Sequence, residues 1–236
     1  MDVKDEKHYN YSPVHHAAEK GLTDIMDLLI KAGADVEART SSGWTPAHFA
    51  AANNHPQILK LLQIVGAEFN AKDKYEETPA HYAAGNGNRE CLEVLVEGGA
   101  DATAKNQRGE TPAHLAVEYG HKQILEYLVQ HGVKLDERDN DGTTPAYLAF
   151  KNNNEETLKF LIASGLDLNG LISAAVKKED WDVAITLMTE KNASFDKQDF
   201  EKILNAVFTL DMAVKREKII NFLQELGHDW FSILDQ

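Results

Sequence analysis

The tetrapeptide Thr-Pro-Ala-His occupies Thr45–His48 and returns at Thr78–His81 and Thr111–His114, each copy 33 residues after the one before. Two variants continue the same step on either side, namely Ser12-Pro-Val-His15 and Thr144-Pro-Ala-Tyr147. A second mark follows the same period, because an apolar run in every copy ends at a glycine. These glycines are Gly33, Gly66, Gly99, Gly132 and Gly165. Two independent marks with one period identify an internal repeat, and this repeat decides the fold.

Each repeat is predicted to form two helices joined by a turn. Pro46 suits the first position of a helix, where its missing N–H group has no partner to lose. Thr45 before it can cap that helix. Ile58 and Leu59 belong to an apolar run at helical spacing, which predicts a second helix. Gly66 then ends this helix in the left-handed conformation that glycine tolerates best.

These residues together resemble the ankyrin repeat, whose pattern is helix, turn, helix and then a β-hairpin finger. The resemblance covers the chain from about Asp5 to Asn169. It implies an all-α solenoid: an ankyrin-repeat array with short β-hairpin fingers, built from five regular repeats and two degenerate C-terminal capping repeats. Two departures stand out. Glu76 replaces the glycine of the finger turn, which predicts a strained finger, and Tyr147 replaces the usual histidine, which predicts a less regular fifth repeat.

The array is predicted to divide into residues 1–170, with five regular repeats, and residues 171–236, with fingerless helical repeats. In the second part, Leu171-Ile-Ser-Ala-Ala175 resembles the start of a first helix, although Thr-Pro is missing. One interpretation is a C-terminal cap, because the exposed end of a solenoid must be closed by a modified repeat. The other is a separate docking module, and the sequence leaves both open.

Charge and composition narrow the class of function. The formal net charge is −14, and it is spread along the chain without a basic tail. Binding to nucleic acid or to an anionic membrane depends on clustered Lys and Arg, so neither is expected. One cysteine among 236 residues and a polar, charged start without an apolar signal segment favour the cytoplasm. We expect a cytoplasmic monomer.

No residue pattern points to catalysis, a cofactor or a metal. The histidines His15, His48, His81 and His114 recur at the repeat step, too far apart to share an ion with metal–nitrogen bonds of about 2 Å. The ankyrin resemblance instead implies a structural hydrogen-bonding role for them. Cys91 fills the position of Ile25 and Ile58 in other repeats, which favours a buried apolar role over a reactive thiol. We therefore expect that the protein is not an enzyme.

The surface residues offer a protein-binding site. Aromatic residues crowd the finger tips of the first three repeats, and Tyr and Trp are frequent anchors of protein interfaces. Trp44 could either contact a partner or pack on the neighbouring finger, whereas Tyr75 has less to pack against. The predicted partner-binding residues are Tyr9, Tyr11, Trp44, Lys72, Tyr75, Lys105, Arg108, Tyr119 and Arg138.

A column of basic residues also follows the repeat, and it has two interpretations. Its members are Arg39, Lys72, Lys105 and Arg138. They could form local ion pairs at the base of the fingers, where each pair would contribute about 0–1 kcal/mol. They could instead form a basic stripe along the groove that binds an extended acidic segment of a partner.

The function implied by the resemblance is a protein–protein interaction scaffold or adaptor that uses the concave groove and finger tips, anchored by Trp44, Tyr75 and Tyr119. The alternative is a targeting or substrate-recruiting region of a larger enzyme, or a bacterial effector that acts on host proteins in the host cytosol. A third hypothesis, an enzyme within residues 171–236, has the least support, because no recognisable pair of catalytic groups occurs there.

Overall fold

The computed structural model describes residues 10–152, together with residues 157, 160, 161, 164, 175 and 176. The chain divides into two compact units, Met1–Thr157 and Leu158–Gln236. All helices defined within residues 10–152 belong to the first unit. They are α1 (Pro13–Lys20), α2 (Thr23–Lys31), α3 (Pro46–Ala52), α4 (Pro56–Ile64), α5 (Pro79–Gly85), α6 (Arg89–Glu97), α7 (Pro112–Glu118), α8 (Lys122–Gln130) and α9 (Pro145–Lys151).

The odd-numbered helices begin as the sequence predicts. Proline is the first helical residue of α3, and Thr45 before it has an extended conformation with φ −96° and ψ 168°. The backbone N–H of the capping residue Thr45 donates to Nδ1 of His48, so this N–H group has a hydrogen-bond partner within the first turn of the helix. The same arrangement opens α1, α5 and α7. The Thr-Pro-Ala-His signature is therefore a helix N-terminus with its cap.

The ends of the even-numbered helices confirm the role of the second mark. Gly66 and Gly99 follow α4 and α6 with φ of 78° and 92°. A side chain is strained in this left-handed region, so glycine is the residue that allows the chain to leave the helix here. Glu76 in the following finger has a φ of 59°, which confirms the strained turn predicted from its replacement of glycine.

The connections between repeats are tight turns. The turn before α3 is closed by the N–H of Thr40 donating to the oxygen of Trp44 at 3.0 Å, and the next by the N–H of Asp73 donating to Glu77 at 2.9 Å. Residues 10–152 contain no extended strand, so the predicted β-hairpin fingers are not confirmed. The second helix of the fifth repeat and the two degenerate repeats lie outside the residues that can be described continuously.

The helices form two layers. The inner layer stacks α1, α3, α5, α7 and α9 in order, and the outer layer stacks α2, α4, α6 and α8. Small side chains let the inner helices pack closely, since Ala50, Ala51, Ala83 and Ala84 are fully buried. Large aliphatic side chains fill the space beneath them, among them Ile58, Leu59, Leu62, Leu92, Leu95, Ile124, Leu125 and Leu128. This helix-rich stack is an all-α repeat solenoid.

Polar side chains join neighbouring repeats at the turn between the inner and outer helices. Nε2 of His55 lies 3.0 Å from the oxygen of Glu19, and Nε2 of His121 lies 3.0 Å from that of Gly85. Asn88 takes the equivalent place between them and donates to Ala51 at 2.8 Å. Each of these bonds satisfies a carbonyl at the C-terminus of an inner helix, where no intrahelical donor remains.

Candidate partner-binding surface

The histidine column lies inside the stack and is fully hydrogen-bonded. Nδ1 of His81 accepts the N–H of Thr78 at 3.1 Å, and the Thr78 hydroxyl lies 2.9 Å from the same atom. The proton must then sit on Nε2, which donates to the oxygen of Glu110 in the next finger at 3.0 Å. Burial lowers the pKa of His81 to about 4, so the imidazole is neutral. His48 is held in the same way, with its pKa also lowered to about 4 by burial.

This geometry fits a structural role for the histidines. In the part of the chain that the structure describes, no group of His, Cys, Asp or Glu side chains is arranged to hold a metal ion. Cys91 is buried in α6, and burial raises the pKa of its thiol to about 12. A thiol with such a pKa is almost wholly protonated at neutral pH and is a poor nucleophile.

Four aromatic side chains meet on the inner side of the first three repeats, and we call them the aromatic patch: Tyr11, Trp44, Phe49 and Tyr82. The ring centroids are 5.3 Å apart for Tyr11 and Phe49, and 4.8 Å apart for Trp44 and Phe49. Trp44 and Tyr82 are 4.5 Å apart. All four side chains are partly exposed. The patch therefore presents a continuous aromatic surface supplied by two turns and two inner helices.

Asp73 holds two rings of the patch in place. Its Oδ2 accepts the indole N–H of Trp44 at 3.0 Å and the hydroxyl of Tyr82 at 2.8 Å. Its Oδ1 accepts the backbone N–H groups of Tyr75 and Glu77 at 2.8 and 2.9 Å, which closes the finger turn. The carboxylate is nearly buried, with 6% of the residue exposed. One side chain therefore links a finger to aromatic residues of two repeats.

The sequence indicated Trp44 and Tyr11 but missed Asp73, Phe49 and Tyr82. An aspartate in a tight turn is a recognisable signal for bonds to the backbone two residues on. The bonds of its second oxygen have no such signal in the sequence. Their donors, Trp44 and Tyr82, lie in other segments of the chain, and only the stacking of repeats brings them near.

Replacing Asp73 with asparagine is expected to lower the free energy of unfolding by about 1–3 kcal/mol, because the new amide N–H₂ would face the indole N–H of Trp44, a donor against a donor. The finger turn itself should survive. Asn106 occupies the equivalent position in the next repeat and its Oδ1 accepts two backbone N–H groups there.

Asp139→Asn is the matched control, since Oδ1 of Asp139 closes its own finger turn in the same way, at Asp141 and Thr143. Urea unfolding of both variants measures the difference. Equal losses of stability in the two variants would show that the ring contacts of Asp73 contribute nothing.

Two tyrosines stand out from the surface beyond the patch. Tyr75 at a finger tip is 52% exposed and Tyr119 at the end of α7 is 59% exposed. The ammonium group of Lys74 lies 4.9 Å from the centroid of the Tyr75 ring. Tyr119 borders Gly85, where an added Cβ would lie 3.8 Å from the tyrosine ring. Tyr9, the remaining predicted tyrosine, lies outside the described residues.

The basic column forms a ladder between repeats. Nη1 of Arg39 donates to the oxygen of Lys72 at 2.7 Å, and Nζ of Lys72 donates to that of Lys105 at 3.1 Å. Nζ of Lys105 in turn donates to the oxygen of Arg138 at 2.9 Å. Lys72 also pairs with Glu76 at 3.2 Å. Arg39, Lys72 and Lys105 thus each join their own repeat to the backbone of the next, an arrangement that matches neither a purely local ion pair nor a free stripe.

Further cations of the predicted site have partners close by. Lys105 pairs with Glu137 at 3.0 Å and Arg108 with Glu110 at 2.8 Å. Arg138 donates to the oxygen of Gly142 at 3.0 Å. The side chains remain solvent-accessible, so these contacts are weak and screened by salt.

Helix pairs stacked in two layers place the protein in the class of α-helical repeat solenoids. The family model for ankyrin repeats in three copies matches residues 1–73, 52–138 and 80–172, and the chain belongs to the ankyrin-repeat family. Ankyrin repeats generally mediate protein–protein interaction and are typically non-catalytic modules. Among curated proteins, none matches the sequence. Within the described residues, no helix combines the length and the apolar character needed to cross a membrane.

Proposed function

We propose that the protein is a scaffold or adaptor that binds a partner protein through its concave groove and finger tips. The groove is the surface of the inner helices α1, α3, α5, α7 and α9 together with the turns that precede them. The observation that carries the proposal is the aromatic patch, because Trp and Tyr anchors are the residues that dominate the energetics of protein interfaces.

The way in which the patch is held supports a binding role. Trp44 and Tyr82 donate to Asp73, and the Tyr11 hydroxyl donates to Glu19. Rings that are fixed before a partner arrives lose little side-chain freedom on binding, so more of the contact energy remains as affinity. A core of this kind with a polar rim is the usual anatomy of a protein interface.

The proposal assigns different parts to the predicted residues. Tyr11 and Trp44 belong to the aromatic patch, Tyr75 and Tyr119 extend the contact surface, and Tyr9 is proposed to belong to the same surface. The basic residues Lys72, Lys105, Arg108 and Arg138 are rim residues, since their side chains already have partners in the free protein. A monomer in the cytoplasm is part of the same proposal.

Replacing Tyr75 and Tyr119 together with alanine should weaken partner binding about tenfold or more while leaving the fold intact, because both rings are largely exposed. Ile64→Ala/Val65→Ala is the matched control. These two residues are 80% and 43% exposed at the end of the outer helix α4, away from the inner layer.

The experiment compares proteins captured by the wild type, the tyrosine variant and the control, followed by titration calorimetry with each purified partner. Partners should be retained by the control and lost by the tyrosine variant. Equal affinity of all three proteins would refute binding through the groove. A recruiting region of a larger enzyme or of an effector would use the same binding step, so the experiment addresses that hypothesis as well.

A further inference from the structure

The aromatic patch is surrounded by carboxylates. Three of its four side chains donate a hydrogen bond to a carboxylate. Trp44 and Tyr82 donate to Asp73, and Tyr11 donates to Glu19. Glu77 belongs to the same finger as Asp73, and its Oε1 accepts the amide N–H₂ of Asn106 at 3.4 Å. Burial raises the pKa of the Tyr82 hydroxyl above its usual range, and the carboxylates of Asp73 and Glu77 raise it further. The ring faces themselves carry the negative part of the aromatic quadrupole. The patch is therefore electronegative both at its faces and at its edges.

Two of these carboxylates have no cationic partner in the described part of the chain. None of the ion pairs formed by the described residues includes Asp73 or Glu77. The nearest lysines in the sequence are used elsewhere, since Lys72 contacts Glu76 and Lys74 lies over Tyr75. Hydrogen bonds satisfy the oxygens of Asp73, yet no cation among the described residues forms an ion pair with it.

We propose that the aromatic patch binds a lysine or arginine side chain from an extended segment of the partner protein; this inference rests on the proposed function. A cation is attracted to an aromatic face within about 6 Å of the ring centroid. Neighbouring rings in the patch are tilted steeply against each other with centroids 4.5–5.3 Å apart, so a cation over the exposed part of one ring face lies close to a second ring. The aliphatic stem of either residue would cover the rings, with the charge directed to Glu77.

The charge of the whole chain favours the same kind of partner. A formal net charge of −14 attracts a basic segment over a distance and repels an acidic one. The expectation of an acidic segment rested on the basic column, but three of its four side chains donate to a backbone oxygen of the next repeat. The aromatic patch, rather than the basic column, therefore sets the sign of the partner's charge.

The test begins with a phage-displayed library of random peptides selected on the wild-type protein. We expect the enriched peptides to share a lysine or arginine and to lose affinity for the Tyr75→Ala/Tyr119→Ala variant. Synthetic copies of the tightest peptide then carry norleucine or glutamate in place of the basic residue. Norleucine keeps the aliphatic stem without the charge, and we expect it to bind about tenfold more weakly. Glutamate should abolish binding.

Protein variants locate the contact. Glu77→Gln and Phe49→Leu should each weaken the basic peptide about three- to tenfold and leave the affinity of the norleucine peptide unchanged. Glu97→Gln is the matched control, because this exposed carboxylate ends the outer helix α6. A variant that merely disturbed the fold would weaken both peptides equally, so the comparison separates recognition of charge from structural damage.

The outcomes also separate the two proposals. Enriched peptides that depend on Tyr75 and Tyr119 but contain no shared basic residue would leave the groove as the binding surface and overturn the cation site. A norleucine peptide that binds as tightly as the basic one would overturn it too. A library that yields no groove-dependent peptide would contradict both the cation site and the proposed function.

Discussion

Ile58→Ala is expected to lower the free energy of unfolding by about 3 kcal/mol, whereas Ile25→Ala should lower it by less than about 1 kcal/mol. The two residues occupy the same position of successive repeats, in α4 and α2. Ile58 is fully buried, because α4 packs against α2 of the preceding repeat. Ile25 is 47% exposed in the first outer helix. Removing the same atoms therefore leaves a cavity in one repeat and only uncovers surface in the other.

Urea unfolding followed by circular dichroism measures both losses in one background. Each variant serves as the control for the other, because the substitution and its position in the outer helix are the same. The two sites differ in how deeply the isoleucine is buried. The result also tests the nearest-neighbour view of solenoid stability, in which each repeat depends on the units beside it. Similar losses at the two positions would contradict the burial seen in the structure.

Acidification from about pH 7 to about pH 5 is expected to lower the free energy of unfolding by about 4 kcal/mol through His48 and His81 together. Burial lowers the pKa of each from an ordinary value of 6.5 to about 4. The unfolded chain therefore takes up protons below about pH 6.5, whereas the folded chain excludes them until about pH 4. The stability is fully present above the unfolded pKa and is lost as the pH falls through this window.

At pH 5, each of the two histidines accounts for about 2 kcal/mol of this loss in the free energy of unfolding. His15 and His114 act in the same direction, because burial lowers their pKa values as well. Unfolding curves at a series of pH values and constant ionic strength measure the slope. A free energy of unfolding that stays constant across the window would show that the imidazoles accept protons without leaving their Thr and backbone partners.

The helices and their ends were predictable because they depend on residues close together in the chain. Pro46 begins α3, Thr45 caps it, and Gly66 follows α4 with the left-handed backbone expected of it. The strained turn at Glu76 was predictable for the same reason, since a missing glycine is visible in the sequence. The β-hairpin fingers were less predictable. Within residues 10–152 these segments form tight turns, such as the one in which the N–H of Thr40 donates to the oxygen of Trp44 and the N–H of Gly43 to that of Thr40. Pairing between chain segments is not set by local sequence alone.

The candidate site could be predicted only in part. Exposed Tyr75 and Tyr119 lie where the repeat pattern placed them. Trp44 donates to Asp73 of the neighbouring finger, packs against Phe49 and Tyr82, and remains partly exposed, so its contact with a partner stays a prediction. Asp73 could not be assigned beforehand, since a turn aspartate looks alike whether or not a second oxygen has ring partners.

The sequence by itself determined the repeat period and the helix caps, because these follow from spacing and from the conformational preferences of Pro, Thr and Gly. Its resemblance to ankyrin repeats added the class of protein and the structural role of the histidine column. Only the tertiary structure decided which side chains meet across repeats: the aromatic patch, with two of its four rings held by Asp73, and the ladder from Arg39 to Arg138. The reason is distance along the chain. Partners about one repeat apart have no local signal, and stacking alone brings them within hydrogen-bonding reach.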